Sequence, residues 1–419
     1  MRSVSAWALA LLCLSGPGLA LGQQPATPSR DTTVLDSDSE EKPRKLTRWN
    51  EFDLGFTTLR FGFGVGFDLS TSIQDDASKS QVTVGSGFKV RDSRLLFRGR
   101  FDTKRPITWN AGFMYDGATD EWFVRLTGIT VAVPELWGNV FIGRNKEGVS
   151  LNKVMSGYDG WTAERMTMTD AIVPLLADGV KWLGYLPSRH LIWNLGVFTD
   201  WLSEGQSFSS YDYQFTARVG WVPLNSDSTG TLLHLGGNFR TGQPNNGQLQ
   251  LRSRPEANNL APYFIDTGKF DATWASAWGV EAFYRPGPWL FGTEYYIEKA
   301  NSPSTGDPTF HGGDIFAAWN ITGETRSYNT AGGFFRPISP ARTVFERGPG
   351  GWEAVLRLSY TDLDSGTLTG GTFWRITPQV NWHLSDNARV EFVYGYGKLD
   401  RFGTRGATQF FLSRLQLLL

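Results

Sequence analysis

Residues 59–68 read Leu-Arg-Phe-Gly-Phe-Gly-Val-Gly-Phe-Asp. Apolar side chains occupy every second position, and the positions between carry a charge or no side chain. Side chains on a strand point to opposite faces in turn, so this segment makes a strand with two unlike faces. The pattern recurs. Tyr211, Tyr213, Phe215, Ala217, Val219 and Trp221 alternate with Asp212, Gln214, Thr216, Arg218 and Gly220. Trp374, Ile376, Pro378, Val380, Trp382 and Leu384 alternate with Arg375, Thr377, Gln379, Asn381 and His383. Val390, Phe392, Tyr394 and Tyr396 alternate with Arg389, Glu391, Val393 and Gly395. From Glu51 onward the period stays at two.

The alternation places sixteen strands, near 58–68, 88–101, 106–116, 121–133, 137–145, 178–187, 190–200, 210–222, 230–241, 272–285, 288–299, 311–323, 351–361, 372–385, 388–398 and 408–419. Several connections after even-numbered strands are tight, such as Pro134 to Leu136 and Pro286-Gly287. Those after odd-numbered strands are mostly longer, such as 69–87, 146–177 and 242–271. Residues 324–350 break the rule: they are long where a short turn is expected.

A soluble sandwich and a transmembrane barrel both use two-faced strands, with opposite faces buried. Three features favour the barrel. The strands run about ten residues, the length of a tilted membrane span. Aromatics fall near strand ends, as in Trp109 with Tyr115 and Trp352 with Tyr360, matching interfacial girdles. Short turns on one rim and long loops on the other complete the pattern. A closed barrel also pairs every backbone group, which hydrocarbon requires. The expected fold is an all-β transmembrane antiparallel barrel over 51–419, with loop 146–177 folded into the lumen.

The N-terminus bears on the compartment. Met1-Arg2, an apolar stretch from Ala6 to Leu21 and small residues at its end describe a cleaved secretory signal peptide over 1–22. Residues 23–50 form a polar leader without periodicity. The single Cys, Cys13, lies in the signal segment, so no disulfide and no Cys-based metal site is expected. With 40 basic and 41 acidic side chains the chain shows no basic excess, which argues against nucleic acid. His190, His234, His311 and His383 are scattered without ligand spacing, and no nucleophile or phosphate-loop motif occurs. No cofactor, metal or enzymatic activity is expected.

If apolar faces meet lipid, the opposite parity lines a lumen. With Leu95, Phe97 and Phe101 outward, Arg94, Arg98 and Arg100 point inward, with Lys89 and Arg91 near the rim. The same parity puts Arg60, Arg218, Arg240, Arg357, Arg375 and Arg389 inside, partly balanced by Glu281, Glu294, Glu298, Glu353 and Glu391. The loop adds Arg144 and Lys146 at its foot, and Lys153, Glu164 and Arg165 within it. Val140 and Ile142 share the phase of Arg144, which leaves its facing open. The residues assigned to an anion path are Arg60, Arg94, Arg98, Arg100, Arg144, Lys146, Arg165, Arg218 and Arg375. For each, bracing of the wall against a lumenal acid is the competing role.

These segments resemble the phosphate-selective porins O and P of bacterial outer membranes. The likeness spans about 51–419. It is carried by Ser93-Arg94-Leu95-Leu96-Phe97-Arg98-Gly99-Arg100, Val140 to Ser150, Glu164-Arg165 and Leu232-Leu233-His234-Leu235-Gly236. Arg252-Ser253-Arg254-Pro255-Glu256, Asp266-Thr267-Gly268, Thr322-Gly323-Glu324 and Gly351-Trp352-Glu353 complete it. The resemblance implies a sixteen-strand barrel, usually a homotrimer, with a basic lumen passing phosphate or related anions. Gly148 stands where the family often has Pro, and the chain ends in Leu417-Leu418-Leu419 rather than an aromatic residue. The expected protein is an outer-membrane porin for passive diffusion of small anions, phosphate first, in contact with lipid and lipopolysaccharide. A general non-selective porin and a secreted carbohydrate-binding β-protein are the alternatives.

Overall fold

A computed structural model describes residues 49–199, 201, 211–257 and 261–419. The expected signal peptide and nearly all of the polar leader lie outside the described residues. The barrel strands are β1 (Thr58–Gln74), β2 (Gly87–Arg100), β3 (Ile107–Asp116), β4 (Glu121–Val124 continued by Thr127–Val133), β5 (Gly138–Asn145), β6 (Ala177–Leu186), β7 (Leu191–Thr199) and β8 (Tyr211–Ser226). They continue as β9 (Thr231–Pro244), β10 (Trp274–Pro286), β11 (Trp289–Asn301), β12 (Thr309–Asn320), β13 (Gly351–Ser365), β14 (Leu368–His383), β15 (Ala388–Arg401) and β16 (Thr404–Leu418). Each pairs antiparallel with its neighbours in sequence, and β16 returns to β1 through Leu418↔Gly64 to Thr408↔Gln74. The result is a closed 16-strand barrel. Closure leaves no sheet edge, so the ladder bonds satisfy the backbone without water.

The burial pattern decides which face meets lipid. On β10 to β13, Val280 is 63% and Ile315 61% exposed, while Glu281 is 3%, Glu294 0% and Arg357 1% exposed. A soluble sandwich would show the reverse. Phe392 is exposed, and Phe61 packs on Phe97 across β1 and β2 with ring centroids 5.6 Å apart. Aromatic girdles ring both ends. Trp289 stacks on Trp319 and Trp352 on Trp382 at the short-turn rim, and both indoles of the second pair donate to Pro349 O. Tyr115 with Trp122 and Tyr213 with Trp274 mark the long-loop rim.

Three segments fill part of the lumen. Residues 146–176 turn inward with two short helices, Leu151–Val154 and Thr167–Ile172. Residues 245–257 and 261–273 also enter from the long-loop rim, burying Leu249, Leu251, Phe264 and Ile265 against Phe310, Phe373 and Phe410 of the wall. The third is the anomalous stretch 321–350. It enters from the short-turn rim as a tiny hairpin, Tyr328–Asn329 against Phe334–Phe335. Phe335 packs on Trp161 of the first insertion and on Phe283 of the wall. Its length is thus that of a lumenal insertion, which alternation could not register because its buried residues follow no strand.

Candidate ion path

A β-bulge arms the upper part of β2. Gly66 of β1 faces Asp92, but the next residue, Phe67, faces Val90. Arg91 is the extra residue, so Arg91 and Asp92 both reach lumenal partners despite being consecutive. Arg91 Nε and Nη2 donate to Glu164 Oε1 and Oε2 at 2.8 and 2.9 Å. Arg414 Nη2 reaches Glu164 Oε1 at 2.5 Å and also clamps Asp68. Glu164 therefore pins the inner loop to β2 and β16. Burial alone raises its pKa, but Arg91 and Arg414 outweigh that and hold it at about 2.

The foot of the same loop is held by the opposite wall. Glu294 accepts from Ser150 Oγ at 2.6 Å and Asn152 N at 3.1 Å, and Glu281 accepts from Leu151 N at 3.1 Å. The Leu151 and Asn152 donors are first-turn N–H groups that the helix Leu151–Val154 leaves open, and Ser150 is its N-cap. Gly148 sits just before, at φ +95°, and a Cβ there would lie 2.1 Å from the Asn194 amide. Proline, fixed near φ −65°, could not occupy this position. The departure from the family's usual residue is thus local geometry.

Between these anchors the loop gathers cations. Arg94 lies over the Tyr158 ring at 4.0 Å and bonds Asp92, which also accepts from Tyr158 Oη. An ideal Cβ at Gly157 would stand 3.6 Å from Arg94 Nη2 and 3.9 Å from Arg165 Nη1. Arg165 donates to Asn152 O and Met155 O, both at 3.0 Å. Lys146 Nζ donates to Val154 O at 3.3 Å and to Met155 O. Among the described residues neither Lys146 nor Arg165 is in an ion pair. Carbonyl dipoles at the end of a short helix hold them instead, with no carboxylate in direct contact. The pKa of Lys146 is driven well below the usual lysine value, first by burial, then by Arg165, Arg125 and Arg94.

The cluster opens into a cavity of about 380 Å³ on the long-loop side, which Arg91, Arg94, Arg125, Lys146 and Arg165 line together. Of the sequence-assigned residues, Arg94, Lys146 and Arg165 meet there. Arg60 faces Arg98 across β1 and β2, and both are part-exposed farther toward the short-turn rim, as is Arg100. The other three lie elsewhere. Arg144 is buried with Nε and Nη2 on Asp178 at 2.6 and 3.1 Å. Arg218 is buried against Glu281 at 2.8 Å and Gly333 O at 2.7 Å. Arg375 is buried over Phe410 and donates to Pro255 O at 2.5 Å. Arg125 was not expected in the lining. It sits in the break between the two halves of β4, where parity does not apply. Tyr158 and Gly157 were missed because loops carry no period.

A closed barrel with an apolar outer face, aromatic girdles and a charged, loop-narrowed lumen is an outer-membrane porin. The chain belongs to the phosphate-selective porin O and P family, whose sequence profile matches residues 63–417. An uncharacterised protein of Caulobacter vibrioides is 29% identical over 397 residues, covering 91% of this chain and 77% of that one. Porin O of Pseudomonas aeruginosa is 23% identical over 137 residues, 30% of each chain. Among solved structures, the outer membrane channel DcaP of Acinetobacter baumannii superposes with TM-score 0.54 at 10% identity, covering 88% of this chain and 99% of its own. An anion-selective porin from Comamonas acidovorans gives 0.53 at 12%, covering 86% and 100%. At such identities these two speak for the fold alone.

Proposed function

We propose that this porin passes small anions, phosphate foremost, by passive diffusion along the β2–β5 side of its lumen. The path descends from the cavity past Arg94, Lys146 and Arg165 to Arg98, Arg60 and Arg100. The observation that carries the reading is the pair Lys146 and Arg165, part-buried cations that bond carbonyls and are in no ion pair among the described residues. Such a site is incomplete electrostatically, and an anion completes it. One ion pair at 4 Å is worth about 1 kcal/mol in water and roughly 4 at an effective dielectric of 20. A narrowed lumen moves toward the second value. Several cations in series let an ion step between sites and leave again. The family profile fits this reading.

Export through a cleaved signal over 1–22, contact with lipopolysaccharide and assembly as a homotrimer complete the proposal. A trimeric form is recorded for one structural neighbour, OmpT of Vibrio cholerae. The test is the reversal potential of the purified porin in planar bilayers under a salt gradient. Anion sign is expected. Cation sign or no discrimination sinks the reading and leaves a general porin.

A further inference from the structure

We propose that the cavity above the cation cluster is a binding site for organic phosphates that carry an aromatic body. This rests on the anion reading and narrows its cargo. The cavity's volume, about 380 Å³, falls within the roughly 300–1,000 Å³ of small-organic-ligand sites. A bare phosphate ion fills little of it. Its lining is also mixed: the carboxylates Asp92, Glu164, Asp170 and Glu256 reach it, each paired with a cation. Arg94 and Arg165 supply charge, whereas Pro174, Leu175 and Tyr263 present half-buried apolar surface to the same space. A hydrated inorganic ion gains nothing from that surface, but an aromatic ring takes it out of water.

Tyr263 adds a stacking feature. The guanidinium groups of Arg252 and Arg254 both lie over its ring, at 4.2 and 4.6 Å. Among the described residues neither arginine is in an ion pair. A planar guanidinium already held against one ring offers its charge and its other face to a second ring. An aryl phosphate satisfies both demands at once: ring on the guanidinium and apolar lining, phosphate on the cations below.

The experiment measures block of chloride current in planar bilayers by inorganic phosphate, methyl phosphate and phenyl phosphate. Phenyl phosphate is expected to half-block at about tenfold lower concentration than either other ion, the effect of partly burying one ring. In Leu175→Ser/Tyr263→Ala that ratio should fall to near unity. Heat-dependent gel migration checks that the variant is folded, and the methyl–phenyl contrast needs no variant. If phenyl and inorganic phosphate block equally, the proposal is overturned while the anion reading stands. A ratio that survives in the folded variant also overturns it, since the apolar lining is then not its cause. If none of the three blocks and the reversal potential has cation sign, both readings fall.

Discussion

Lys146 and Glu147 are adjacent in the chain and mark two different regions of the lumen. Lys146 faces the β2–β5 side, where it and Arg165 lean on carbonyls while Arg91, Arg94 and Arg144 have acid partners. Glu147 faces the β8–β9 wall, where Arg240 Nε meets it at 2.8 Å. On that wall and beyond it most buried arginines have their own acid, as Arg218 with Glu281, Arg326 with Glu353 and Arg357 with Glu256, while Arg285 and Arg375 rest on carbonyls. Residue type and inward parity are shared by both regions, so neither separates a structural arginine from one free to act on an ion. The partner does. A buried paired charge is costly to break, while a cation held by dipoles keeps its field.

The sharpest challenge to this contrast is Arg357→Leu. It strands Glu256, which also accepts from Thr167 N at 2.9 Å, in a buried site. A loss of about 3–5 kcal/mol is expected in urea unfolding of the detergent-solubilised barrel, with anion sign kept in the folded fraction. A loss under about 1 kcal/mol would dissolve the distinction. Next comes Glu164. Its carboxyl falls from 4.5 to about 2 in the folded chain, so its stabilisation is complete above about 4.5 and disappears as pH falls toward 2. The size is about 3 kcal/mol, and Glu164→Gln should flatten that part of the pH–stability curve.

On the other side, Arg98→Glu with Arg100→Glu should cost little stability, since both are part-exposed, yet shift the reversal potential strongly toward cations. An unchanged potential would put these side chains outside the ion path. A smaller effect is expected from pH. Lys146 loses its proton below the usual lysine range, so anion conductance should decline as pH rises before ordinary lysines titrate, and Lys146→Arg should abolish the decline. The smallest effect belongs to the exposed pair Arg105–Glu135 at the short-turn rim. Arg105→Ala should change neither stability nor selectivity measurably, because solvent screens such pairs.

The barrel was legible because period two is local: each strand announces its own two faces, and all sixteen were placed from that signal. The place of Arg94 on the cavity-facing side of β2 was legible for the same reason. Arg91 was assigned to the rim because its inward turn depends on a bulge, which shifts parity without leaving a mark in composition. Arg125 sits in a strand break, and residues 324–350 and Gly157 lie in segments that have no period to read. Alternation does not say which acid an arginine will find, because Arg357 and Glu256, or Arg414 and Asp68, are far apart in the chain.

The order of side chains along each strand determined that this protein is a barrel with a greasy outside and a charged inside, since facing is set by the backbone one residue at a time. Folding in three dimensions decided which charges cancel and which remain, since that depends on where the inserted loops bring distant carboxylates and carbonyls. The distance between a cation and its nearest opposite charge is a property of the closed barrel, and no run of neighbouring residues contains it.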